Sequence, residues 1–364
     1  MMPNRVLFKY IVRQFLVWFA AIMAILLGII LMFEYVEMLR RGADRPEITM
    51  GVAFRLSVLK MPEMVEVVLP FAVMFGAMFT FWRLNRSSEL VIIRSAGLSV
   101  WQFMMPVILA AALLGAMMVT ILNPLSATML AMFEYEEAQW FAGRDTVLDI
   151  SGGGLWLRQR DEDGTSVIFA RNLDGPGIFL NNVTFFLYDE TGSFDSRIDA
   201  RTAELDRDKW RLEDAHVMTR SGTPQGHDTL NVPTTLTPDW IENSFASART
   251  ISFWTLPDFI ETMEAAGFSA RAHQLRFQSL LSQPLLFSAM VLFAAVFSLR
   301  QTRRGGALTM SVAGIVTGFL VFVFSDIVRA LGAAENLPIL LAAWAPASAT
   351  LLLGAATLLY IEDG

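Results

Sequence analysis

The 364-residue chain has no cysteine, only three lysines and only three histidines. Without cysteine there can be no disulfide and no thiolate metal site. None of the lysines, Lys9, Lys60 and Lys209, follows a glycine-rich loop. A Walker A phosphate cradle is therefore missing, and the chain is not expected to hydrolyse ATP itself. His216, His227 and His273 are scattered, with no H-E-x-x-H or comparable spacing for a metal. There is no G-x-S-x-G elbow. Gly152-Gly153-Gly154 precedes a strand-like run and reads as a turn, not as a dinucleotide fingerprint. The formal net charge is −7, and the acidic segment 122–276 is a poor candidate for nucleic acid, which a cationic surface must attract. These absences leave no catalytic constellation and no cofactor bound by this chain.

Apolar residues are abundant. Hydrophobic residues make up 54% of the chain, and the mean hydropathy is +0.47, too apolar for a soluble enzyme of this length. Runs of about 20 apolar residues span a bilayer core as helices. Six occur: Phe15–Tyr35, Met61–Phe81, Trp101–Ile121, Leu280–Leu299, Leu308–Val328 and Pro338–Tyr360. The first is too long for a signal peptide and is expected to be a retained anchor. Pro284 is expected to loosen the first turns of the fourth, and Asn123-Pro124 to end the third.

Arginine placement sets the expected topology. Arg5, Lys9 and Arg13, then Arg83, Arg86 and Arg94, then Arg300, Arg303 and Arg304 fall on one side if the spans alternate. By the positive-inside rule that side is cytoplasmic, as are both termini. The segment 122–276 then lies on the opposite side. It carries 24 of the 35 acidic residues but fewer than half of the 28 basic ones. After a helical stretch with Glu134, Glu136 and Glu137, its pattern turns to short strands. These are Leu155–Arg160, Ser166–Arg171, Val183–Tyr188, Ser196–Leu205 and Trp210–Arg220, with a hairpin turn at Asp206–Lys209. An all-β sandwich of about 100 residues is expected. Thr255 is placed to cap an amphipathic helix over 256–266, with Leu256, Phe259, Ile260 and Met263 on one face. The expected domains are 1–121 (three spans), 122–276 (the β domain with flanking helices) and 277–364 (three further spans).

Two short stretches stand out. In Leu84–Val100, Ser87 or Ser88 can cap a short helix over about 87–96, with Glu89 in its first turn, Leu90, Ile93 and Arg94 at helical spacing, and Gly97 to stop it. Such a helix is either a connector resting on the lipid surface or a contact surface for a cytoplasmic partner. At the other end of span one, Phe33-Glu34-Tyr35-Val36-Glu37-Met38-Leu39-Arg40-Arg41 places two arginines near Glu37 and Asp44. They can pair locally, or meet an anionic ligand in the forked geometry that guanidinium favours. Lys60, Glu63 and Glu66 enter span two, and snorkelling accounts for Lys60.

The whole chain resembles the lipopolysaccharide export permeases LptF and LptG, and LptG the more. The likeness rests on Lys9-Tyr10-Ile11-Val12-Arg13-Gln14, Tyr35-Val36-Glu37-Met38-Leu39-Arg40-Arg41, Arg86-Ser87-Ser88-Glu89-Leu90, Ser95-Ala96-Gly97-Leu98-Ser99, Leu236-Thr237-Pro238-Asp239 and Gln283-Pro284-Leu285. It implies a β-jellyroll-like periplasmic domain on a six-span inner-membrane protein, paired with a sister permease. It also implies two LptB ATPase subunits, which use ATP and magnesium, and the single-span LptC. The cargo implied is lipopolysaccharide, taken from the outer leaflet between gates formed by spans one and five. Ser88, Glu89, Leu90, Ile93, Arg94 and Gly97 match the helix that docks on the ATPase. Phe33, Glu37, Arg40 and Arg41 match the region that receives sugar phosphates. Glu34 and the acidic stretch after span three depart from the family's basic pattern there. The alternatives are the sister permease LptF and a membrane protein that relays force or signal without moving lipid.

Overall fold

The computed structural model describes residues 5–43, 48–95, 97–137, 140, 147–151, 154–161, 164–174, 179–189, 193–206, 209–219, 222, 225–234, 247–265, 269–298 and 306–363. They form two compact units. One comprises Met1–Glu136, Ser252–Leu256 and Arg271–Gly364; the other comprises Glu137–Ile251 and Pro257–Ala270.

The first unit is helical. α1 (Arg5–Gly42), α2 (Met50–Arg86), the short α3 (Glu89–Ser95), α4 (Val100–Met117) and α5 (Asn123–Glu137) come before the β domain, and α7 (Arg271–Ser298), α8 (Gly306–Ala333) and α9 (Ile339–Asp363) come after it. Among the described residues six helices are long and apolar enough to cross a membrane, with α4 and α5 running as one, Val100–Glu137. α2 and α7 form the interior: 56% and 61% of their apolar windows are buried, against 11% for α1 and 17% for α8. The two peripheral helices therefore keep most of their apolar surface for lipid or a partner. Close packing at the centre depends on glycine. A Cβ on Gly115 of α4 would lie 2.6 Å from the Cα of Pro284 in α7, and one on Gly76 of α2 would lie 3.0 Å from the Cα of Phe19 in α1.

Pro124 does not end the helix that carries span three. Between α4 and α5 the helix makes one π-turn, Met118–Leu122, in which the Asn123 N–H reaches back to the Met118 carbonyl. The widened turn carries the chain past a residue that can neither donate a hydrogen bond nor tolerate the carbonyl four residues before it. The helix thus continues to Glu137.

In the second unit, β1 (Val147–Ser151), β2 (Gly154–Asp161), β3 (Gly164–Asp174), β4 (Phe179–Tyr188), β5 (Phe194–Asp206), β6 (Lys209–Thr219) and β7 (Gln225–Pro233) form one antiparallel sheet in strict chain order. Asp206 stands opposite Lys209, where the hairpin turn is expected. The domain is all-β, but it is a single meander and not two separately wound sheets. Its strands alternate, so one face collects Leu157, Ile168, Leu180, Val183, Phe185, Ile198, Trp210 and Leu212, all buried. Phe185 and Trp210 meet edge to face at 6.1 Å.

The sheet rolls up. The Thr234 hydroxyl, just past β7, donates to Gln159 Oε1 on β2 at 2.6 Å, and both residues are buried. In a flat sheet those strands would lie about 24 Å apart, at ~4.8 Å per strand. Curling brings the far strands together and shelters the apolar face. β1 and β7 escape the sequence pattern, and β7 does so for a visible reason: its residues are nearly all exposed, so no apolar alternation marks it. After the sheet, α6 (Leu256–Ala265) buries Leu256 and Met263, as its amphipathic pattern requires. Its expected stop, Gly267, lies outside the described residues.

Candidate functional site

At one end of the helical unit, the chain leaves α2 and re-enters the bundle through α3. The Ser87 N–H bonds the Arg83 carbonyl at 2.9 Å, and its single hydroxyl proton is shared between that oxygen at 3.0 Å and Glu89 Oε1 at 2.9 Å. Ser88 then reverses the chain with φ +59°, a left-handed conformation rarely adopted by a residue with a side chain. Neither serine side chain caps α3 as expected. Ser88 instead offers its carbonyl to the N–H groups of Val91 (3.2 Å) and Ile92 (3.3 Å). Gly97, at φ +84°, closes the other end with its N–H on the Arg94 carbonyl at 3.0 Å. A reciprocal Ser99–Gln102 capping box then starts α4.

The seven-residue α3 has two faces. Leu90 and Ile93 point inward and are buried, so these two of the six expected contact residues serve as anchors. Val91 and Ile92 point outward at 55% and 66% exposure, and Arg94 and Gly97 are also exposed. The two aliphatic residues were not anticipated, although the i, i+3 spacing of Leu90 and Ile93 already assigns them to the opposite face. Both oxygens of Glu89 are engaged: Ser87 Oγ donates to Oε1 at 2.9 Å, and Tyr10 Oη of α1 donates to Oε2 at 3.0 Å. The turn is tied down further by Asn85, whose side-chain amide donates to the Ser298 carbonyl of α7 at 3.2 Å.

The opposite end of α1 carries the other candidate residues. Phe33 is 65% exposed. Arg40 forks onto Glu37 through Nε (2.8 Å) and Nη2 (2.7 Å), a local and largely exposed pair. Arg41 is exposed as well. Two of the acidic departures from the basic pattern, Glu34 and Glu136, have partners on α2. Lys60 does not simply snorkel, because its Nζ sits 2.7 Å from Glu34 of α1 with both side chains mostly buried. Arg55 pairs with Glu136 of α5.

Deeper still, Glu66 of α2 accepts from Arg276 of α7 at 2.6 Å and from the Asn123 amide at 3.1 Å. Asn123 in turn accepts the Phe253 N–H at 2.9 Å. Sequence order could not reveal this link, since Glu66 and Arg276 lie 210 positions apart. Among the described residues no group of three or more histidine, cysteine, aspartate or glutamate side chains could hold a metal ion.

Six apolar helices, a rolled β domain inserted after the third, and a short anchored helix between the second and third define a polytopic membrane protein. The chain matches the family model described as "Lipopolysaccharide export system permease LptF/LptG" over residues 9–360, and it belongs to that family. Curated relatives include the lipopolysaccharide export system permease protein LptG of Escherichia coli strain K12, 23% identical across 97% of this chain and 98% of the relative. The protein of the same name from Haemophilus influenzae is 25% identical across 93% and 94%. The family places the chain among multi-pass inner-membrane transporter subunits.

Proposed function

We propose that the protein is the LptG-type permease of an ATP-driven complex that lifts lipopolysaccharide out of the inner membrane, with α3 as its contact to a separate ATPase dimer. Two anchored residues fix α3 to the bundle, while Val91, Ile92 and Arg94 face outward and Glu89 stands half-buried at its first turn. This division between an anchored and a presented face is the observation that carries the reading. The α3 end lies in the cytoplasm on this reading, and the β domain lies in the periplasm. ATP and magnesium are used by the LptB partner; this chain binds no cofactor. The further partners are the sister permease LptF, LptC and membrane lipid.

A push on α3 enters α2 directly, since only two residues separate the helices, and α2 is packed along α1 and α7. Narrowing the space between permeases would then expel an apolar cargo. Moving acyl chains into water costs ~0.8 kcal/mol per CH₂, so work from nucleotide must offset it. Phe33 and the Glu37–Arg40–Arg41 cluster, at the periplasmic end of α1, receive the lipid headgroup. Guanidinium forks suit its phosphates.

Reversing charge with Glu89→Lys tests the first part. The variant should insert and assemble, and its complex should hydrolyse ATP, yet release of lipopolysaccharide should fall. Normal release would return α3 to a surface connector. Reversing Arg40 and Arg41 together should weaken photocrosslinking to lipopolysaccharide, and unchanged crosslinking would remove them from the site. Co-purification separates the alternatives. An LptF partner with an ATPase dimer supports this assignment, an LptG partner makes the chain the LptF-type subunit, and a periplasmic enzyme alone favours a signalling role.

A further inference from the structure

Resting on the coupling role proposed for α3, we infer that Tyr10 is a positioning residue that ties the peripheral helix α1 to Glu89, so that displacement of α3 reaches α1 directly as well as through α2. Tyr10 Oη donates to Glu89 Oε2 at 3.0 Å across 79 residues of sequence. Among the described residues it is the one hydrogen bond that joins α1 to α3. Ile11, the next residue, and Phe15, a turn beyond it, are completely buried, so Tyr10 sits on a firmly seated part of an otherwise exposed helix.

The arrangement leaves Glu89 able to bind a partner. A carboxylate offers about four acceptor positions, and Ser87 and Tyr10 each take one. The two donors approach different oxygens and so fix the rotamer of the side chain, with acceptor positions left over for a cationic group on a docking partner. A cation bonds a carboxylate more strongly than a phenol does, because the opposite charges attract in addition to the hydrogen bond. Docking therefore holds Glu89 firmly on the partner side, and the phenol carries its movement to α1. Ring packing alone would not transmit this, because the link is a directional hydrogen bond.

Tyr10→Phe keeps the ring and deletes the donor. In the complete reconstituted complex, assembly and ATP hydrolysis should stay near the parent values. Lipopolysaccharide released per ATP hydrolysed should fall about tenfold, the order of effect that one hydrogen bond to a charged group exerts. Tyr10→Gln, which restores a donor, should recover part of that loss. If the two residues act through one bond, Tyr10→Phe should add nothing to Glu89→Ala, which removes both acceptor oxygens.

An unchanged release-to-hydrolysis ratio in Tyr10→Phe overturns the inference. So does a loss of assembly, which would make Tyr10 a packing residue only. Glu89→Lys run in parallel keeps the two readings apart. If it leaves release intact, the coupling role of α3 fails. If it uncouples while Tyr10→Phe is silent, only the Tyr10 link fails.

Discussion

The indole N–H of Trp254 donates to the carbonyl of Thr120 at 3.1 Å. In a regular helix that carbonyl would accept the N–H of residue 124, but residue 124 is proline and has none. The π-turn at Met118–Leu122 and the Trp254 contact thus have one cause. One residue before the proline, the Asn123 side chain captures the Phe253 N–H. A break in one helix has become the seat for the chain segment returning from the β domain.

Pro124→Ala restores the missing N–H. The α4–α5 helix should then regularise, Thr120 should gain an internal partner, and Trp254 should lose its acceptor. Hydrogen exchange should show faster exchange over residues 252–256 and slower exchange over 120–124. No change in either segment would mean that proline does not create the seat.

Glu66 is nearly buried, and its ion pair with Arg276 joins α2 to α7. Removing one charge from such a pair leaves the other stranded, at a cost of about 3–5 kcal/mol. Glu66→Ala should therefore lower the melting temperature of the detergent-solubilised protein sharply. Glu66→Gln combined with Arg276→Met should be milder than the two single changes summed, because no unpaired charge remains. Strict additivity would show that the pair does not couple the helices.

The interior at Gly115 has no room for a methyl group, since the obstructing atom is backbone of Pro284. Gly115→Ala should force α4 and α7 apart and destabilise by about 1–3 kcal/mol. The control is Gly28→Ala, where a Cβ meets nothing within 4 Å. Equal melting temperatures for the two variants would sink the argument.

What the sequence discloses follows from what is local. The six apolar runs mark the spans, and alternation bounded by turns marks β2 to β6. Ser87, Glu89 and Gly97 locate α3 to within two residues. Partners distant in the chain leave no such trace. Glu34 looks like a lost basic residue until Lys60 is found beside it, and Lys60 looks like a snorkelling side chain until Glu34 is. Pro124 reads as a stop because the π-turn that absorbs it depends on how Asn123 and Trp254 are used. The single sheet is equally hidden, since alternation fixes which face is apolar but not whether the sheet closes on a second one or on itself.

The split between the faces of α3 gives opposite outcomes for neighbouring residues. Leu90 is buried against its own chain, so Leu90→Ala should cost stability, about 2–4 kcal/mol for a well-packed leucine, and should lower the melting temperature of the isolated permease. Val91 and Ile92 present their side chains to solvent, so Val91→Ser with Ile92→Ser should leave that temperature unchanged. If they are the apolar contact with the ATPase, the double variant should retain less ATPase on purification, and nucleotide-driven release should fall with it. Full ATPase retention would remove both residues from the contact and leave Glu89 and Arg94 to carry it by charge alone. In that case binding should weaken steeply with salt, because contacts between exposed charges are screened beyond about 10 Å at 0.1 M ionic strength.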